Sequence, residues 1–198
     1  MGKVIFGGII GGIIAFVWSF VSWAVLPWHE WTFQSFKNEE FVSWVIQENV
    51  KKDGIYMIPY LHDDKVATSP SELKSKFDEE KPTKDNGPFV YAQIKQKGID
   101  YPNPRYFIYS FLTQFIGAAL ICYLLSKVTE SGYGGRLVFV TLMGLVVGVL
   151  GHIPNWVWFG GSNLFLLIMI ADLLITWFLA GLILAAMIKP RREHELMM

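Results

Sequence analysis

Between Lys3 and Glu30 the chain carries no Lys, Arg, Asp or Glu. The same holds between Arg105 and Lys127, between Arg136 and Asp172, and between Asp172 and Lys189. Long uncharged apolar runs have few places to go. The hydrocarbon core of a bilayer is about 30 Å thick and is crossed by about 20 apolar residues in a helix, which satisfies its own backbone hydrogen bonds. The runs predict four membrane-spanning helices, over residues 4–26, 106–125, 137–152 and 163–188. Composition agrees: 53% of the 198 residues are hydrophobic and 17% are charged, against about 25% charged in an ordinary soluble domain. The expected fold class is all-α transmembrane, a four-helix membrane bundle forming a single membrane domain over 1–198. A small α+β extracytoplasmic insertion, residues 27–104, lies between helices 1 and 2.

The first run competes with a cleaved signal peptide, since Ser22-Trp23-Ala24 loosely fits a small-x-small site. It is longer than the roughly 7–15 residues of a signal-peptide apolar region, and only Lys3 precedes it, so an uncleaved anchor is expected. Basic residues near span ends set orientation. Lys3, Lys127, Arg136, Lys189, Arg191 and Arg192 all fall on one side of a four-span protein. That side is assigned to the cytoplasm, with both termini. The link 153–162 and the insertion lie opposite, Arg105 being the exception. Trp23, Trp28, Trp31, Tyr106, Tyr109, Trp156 and Trp158 are expected as the outer aromatic belt.

The insertion reads as folded. Asn38 can cap a helix opening on Glu39 and Glu40. Val42, Val45, Ile46 and Val50 give that helix an apolar face, and Gly54 is expected to stop it. Residues 55–60 and 89–94 read as strands. Ser69-Pro70-Ser71-Glu72 is a capping box opening a short helix that carries Leu73 and Phe77. Residues 78–86 read as a solvated loop. An insertion this small makes a weak core. It carries no catalytic triad, phosphate loop or metal-ligand spacing, and no internal repeat of the kind duplicated transporters show.

Small residues stripe the spans. Gly8, Gly12 and Ala15 share a face of the first, with Ser19 and Ser22 beyond them, and Gly144 and Gly148 share a face of the third. Such stripes let helix backbones approach closely where lipid supplies no hydrophobic drive. They are expected as packing seams. Cys122 is the single cysteine; it cannot form an intrachain disulfide and reads as a small buried apolar residue.

The polar groups within the spans need a separate explanation. Asp172 sits about nine residues, or roughly 14 Å, into the fourth span. A carboxylate at that depth costs at least ~2.5–3.5 kcal/mol unless it is protonated or paired. Thr113 and Gln114, at comparable depth on the second span, are its expected partners. It is either a structural clamp or a proton-binding or substrate-contacting group. His152 and Asn155 form a second signal. Pro154 is expected to end the third helix, leaving Asn155 to cap or turn the link. A third signal is Pro27-Trp28-His29-Glu30-Trp31, where the first helix leaves the membrane. His29, Glu30, His152 and Asn155 could meet there, yet no pair has a diagnostic metal spacing, so no metal or cofactor is expected.

Leu-Pro-Trp-His at 26–29 and Gly-His-Ile-Pro-Asn-Trp-Val-Trp-Phe-Gly at 151–160 resemble a group of small uncharacterised bacterial four-helix inner-membrane proteins. The resemblance covers most of the chain. It implies a bacterial inner membrane and no particular chemistry.

Three functions remain open, so whether the chain is an enzyme is not decided by the sequence. The favoured one is a non-enzymatic accessory or scaffold protein with a polar site in the outer half of the bundle, partnered by another membrane protein or by its own copies. The alternatives are proton-linked or small-solute transport through an oligomer using Asp172, and a membrane-embedded enzyme acting on a lipid or quinone at the outer face. The 17 basic residues are balanced by 17 acidic ones, which leaves no basic face for nucleic acid.

Overall fold

A computed structural model of the chain describes residues 2–58, 88–101, 103–128 and 131–189. The predicted helix at 69–77 and the loop at 78–86 lie outside these residues. The chain forms two compact units, residues 1–34 with 102–198, and residues 35–101.

The smaller unit holds helix α2, Glu39–Asn49, and a two-stranded sheet. The Asn38 side chain accepts from the Phe41 N–H at 2.9 Å, satisfying one of the donors a helix start leaves open. The helix stops earlier than expected. Val50 already turns extended as its C-cap, and Gly54 instead opens strand β1, Gly54–Ile58. β1 pairs antiparallel with β2, Val90–Ile94, in a register running from Gly54↔Ile94 to Ile58↔Val90.

The larger unit holds four long helices: α1 Gly2–Ala24, α3 Pro104–Leu125, α4 Tyr133–Phe159 and α5 Asn163–Met187. All four are long and apolar enough to cross a membrane. The reading of the chain as a multi-pass membrane protein rests on them. α1 packs on α3 and α5, α5 packs on α4, and α3 and α4 meet only lightly. Chain direction alternates, so one end of the unit collects the N-terminus, Leu125, Tyr133 and Met187. This is the terminal end. The other, the insertion end, collects Ala24, Pro104, Phe159 and Asn163.

Apolar side chains close the terminal half. Ala118, Cys122, Leu125, Val140, Trp177, Ala180, Leu184 and Ile188 form one buried cluster. The small-residue stripes lie at its seams. A Cβ on Gly12 would stand 2.8 Å from the Phe115 backbone, and one on Gly144 would stand 2.7 Å from the Leu173 carbonyl. Gly8 and Gly148 face Ala119 and Ile170 in the same way, and Ala15 is fully buried. Gly144 and Gly148 therefore set α4 against the stretch of α5 that carries Asp172.

Two expectations change here. The third span does not end before Pro154 but runs on to Phe159 with Pro154 inside it. Proline removes one N–H bond from a membrane helix without stopping it. The stop is Gly160, whose left-handed φ of 66° an L side chain adopts at a cost. Ser162 then caps α5 by accepting from the Phe165 N–H. Arg136, expected as a flanking charge, is buried. Its Nε donates to the Ala185 carbonyl at 2.7 Å and its Nη1 donates to the Ser131 carbonyl. Ala185 lies in the last turn of α5, where carbonyls lack helical partners and the helix dipole favours a cation.

Candidate functional site

α1 presents Trp18 and Ser22 one turn apart on one side. The chain then turns at Pro27. Trp31 N–H bonds the Pro27 carbonyl, and the Thr32 N–H and hydroxyl both donate to the His29 carbonyl, at 3.0 and 2.7 Å. This short turn, with a 3-10 segment at Glu30–Thr32, sends His29 back onto α1. Trp28 fixes the return by donating its Nε1–H to the Ser22 carbonyl and hydroxyl, both at 3.1 Å.

His29 thereby reaches α5. Its Nε2 lies 3.0 Å from Ser22 Oγ and 3.6 Å from Asp172 Oδ2. Trp18 Nε1 donates to the other carboxylate oxygen, Oδ1, at 2.6 Å. One turn on, Thr176 Oγ1 donates to the Asp172 carbonyl at 2.7 Å, which fixes the backbone. Trp23 stacks flat on the imidazole, 3.8 Å between ring centres and 9° between planes, and Trp28 meets it edge-on at 5.5 Å. Ser22 is fully buried, His29 is 1% exposed and Asp172 7%.

His29 Nδ1 is buried and makes no hydrogen bond among the described residues. A buried polar atom without a partner costs about 1–3 kcal/mol, so its retention calls for an explanation. The carboxylate beside Nε2 favours the proton on that nitrogen. Nδ1 is then an open acceptor. His29 lies beyond the end of α1. Burial lowers its pKa below the ordinary 6.5, and the Asp172 carboxylate opposes this.

Ser, His and Asp are all present, but they are not arranged for nucleophilic catalysis. In such a triad the serine and the carboxylate bind opposite ring nitrogens, so that the acid orients the base. Here Ser22 and Asp172 share Nε2, and the nitrogen that should meet the acid has no partner among the described residues.

The residues singled out in the sequence divide into two groups. Asp172 and His29 come together. The side chain of Asp172 bonds Trp18 on α1, rather than Thr113 or Gln114 on α3 as expected. α3 meets α5 nearer the terminal end, where Gly117 faces Trp177 and Ala118 and Cys122 join the apolar cluster. Thr113 is exposed and donates to the Tyr109 carbonyl at 2.9 Å, and Gln114 is half-buried. His152 is half-buried on α4, Asn155 is exposed within that helix, and Glu30 is exposed in the turn. No bond joins these five to the cluster among the described residues. Nor do these residues include a group of three or more His, Cys, Asp or Glu able to hold a metal. Trp23 and Trp28, expected in the outer aromatic belt, both pack against His29. Trp18 went unnoticed, although its one-turn spacing from Ser22 is visible in the sequence.

Comparison with protein-family models, curated proteins and solved structures returns no match. The roles of these residues are therefore read from their geometry alone.

Proposed function

We propose that the protein is a non-enzymatic accessory component of a bacterial inner membrane that works through the His29–Asp172 pair as a binding site. Its termini are cytoplasmic, and residues 27–104 are outside. The observation that carries this reading is the open Nδ1 on an otherwise fully engaged, buried imidazole. The surrounding groups hold the ring in place and activate no nucleophile. A chemical step on a lipid or quinone has correspondingly little support. The thin contact between α3 and α4 favours assembly with a second membrane protein or copy.

Cross-linking in native vesicles tests the assembly part. The chain is expected in a larger complex, and in reduced amount for Asp172→Leu. A lone monomer in native vesicles would contradict it. A second reading, proton-linked transport through an oligomer, is favoured by a carboxylate facing an imidazole inside an apolar seam. It requires that Asp172→Asn abolish proton flux in liposomes, and unchanged flux would remove it.

A further inference from the structure

α2 of the smaller unit carries apolar residues on two sides. Val42 and Ile46, one turn apart, line a cavity of about 470 Å³ together with Gln93 and Ile94 of β2. Phe41, Trp44 and Val45 recur at three- and four-residue steps, so they share a second face. None of the three lines that cavity. Phe41 is 58% and Trp44 57% exposed, with their rings 6.0 Å apart. Phe33 and Phe36, in the approach to the helix, are exposed as well. Contiguous exposed apolar surface of this kind marks contact with a partner protein or a membrane.

The length of chain on either side favours the membrane. His29 is held against α1, and Glu39, the first residue of α2, follows it by ten residues. Ile94, the last residue of β2, precedes Pro104 of α3 by ten. Ten residues span at most about 35 Å, and both α1 and α3 are apolar enough to cross a membrane. Chain length alone therefore keeps α2 beside a bilayer. A surface tethered in this way meets its target at a high effective concentration. Trp and Phe are also the side chains that seat a helix among lipid head groups. Charge does not drive the contact, because Lys37, Lys51 and Lys52 are set against Glu39, Glu40, Glu48 and Asp53.

We infer that α2 lies in the plane of the membrane surface, with Phe41, Trp44 and Val45 sunk to the boundary between lipid head groups and acyl chains. Glu48 shares this face in the last turn. Its carboxylate keeps that turn shallow, so the first half of the helix sits deeper. The inference is independent of the His29–Asp172 pair.

Spin labelling of the full chain in nanodiscs of phosphatidylethanolamine and phosphatidylglycerol tests it. Phe41→Cys, Trp44→Cys and Val45→Cys each place a label on the face. Ser43→Cys and Gln47→Cys place one on the opposite side, where both residues are exposed. Cys122 is fully buried, and the wild type checks that it takes no label. Collision with oxygen reports lipid, and collision with a water-soluble nickel complex reports water. The oxygen-to-nickel ratio is expected to be at least about fivefold higher at Phe41, Trp44 and Val45 than at Ser43 and Gln47. It should stay so in about 0.5 M salt, where surface charge is screened. Should a label at one position disturb the fold by circular dichroism, the other two carry the same expectation. High nickel access at the three positions would mean a face open to water. Low access to both reagents would mean a face covered by protein, whether a partner or a second copy. Either result overturns the inference, as does a ratio that collapses in salt.

Discussion

Arg136 and Asp172 are both charged residues buried against α5, and the chain treats them differently. Arg136 meets the last turn of the helix, where its donors end on the Ala185 and Ser131 carbonyls. The Ala185 carbonyl needs a partner in any case, so the charge and the end of α5 satisfy each other. Asp172 lies further inside α5. It is met by an indole N–H and by an imidazole whose second nitrogen is left over. A buried charge alone does not mark a function. One whose surroundings are closed by backbone is part of the scaffold. One whose neighbour keeps a hydrogen-bonding atom unused among the described residues is not closed in that way.

The contrast can be broken in several ways, and the largest effect should come from the seam that positions Asp172. In Gly144→Leu the new side chain meets the Leu173 carbonyl and Trp177 at under 3 Å. Overpacking costs typically ~1–3 kcal/mol and more where backbone must move. Most of the protein should be lost as aggregate on size-exclusion chromatography. Asp172→Leu should come next, at about 2–3 kcal/mol, because it strands the Trp18 N–H and the imidazole. Asp172→Asn keeps an acceptor for Trp18 and should cost less than half as much. Thermal unfolding in one detergent ranks the three.

Arg136→Met should cost about 1–2 kcal/mol, since the carbonyls it leaves lie near a helix end. Its use is in what it should not do: the titration of His29 should stay as in the wild type. The smallest effect concerns pH. Burial lowers the His29 pKa, so its stabilising contribution is complete above the ordinary 6.5 and fades as pH falls through the lowered value. The melting temperature should drop between about pH 6.5 and pH 5, and the drop should vanish in His29→Gln. A wild-type curve that rises on acidification would reverse the sign of the pair.

The scaffold and half of the site were legible in the residues. The uncharged runs and the small-residue stripes located the helices and their seams, because both follow directly from the cost of charge and bulk in lipid. Asp172 stood out as the lone charge between Arg136 and Lys189. His29 was visible beside Pro27, but its partner was not. That depends on a turn after α1 that brings the ring back against α5, and no periodicity records it. Trp18 was missed because an indole in a span reads as lipid contact. Arg136 was legible as a span-end charge, but its burial against the Ala185 carbonyl was not, since that contact depends on how α4 meets the end of α5. Pro154 was overweighted as a helix stop when Gly160 was the residue that could turn left-handed.

The state of the His29 ring tests the central claim most directly. Nitrogen-15 spectra of histidine-labelled protein in lipid nanodiscs, with His29 assigned by difference from His29→Gln, report both ring nitrogens. At neutral pH the proton is expected on Nε2 with Nδ1 bare. The midpoint for protonating Nδ1 should lie below 6.5 and fall further in Asp172→Asn, while Arg136→Met leaves it unchanged. A proton resident on Nδ1, or a midpoint indifferent to Asp172, would contradict the account.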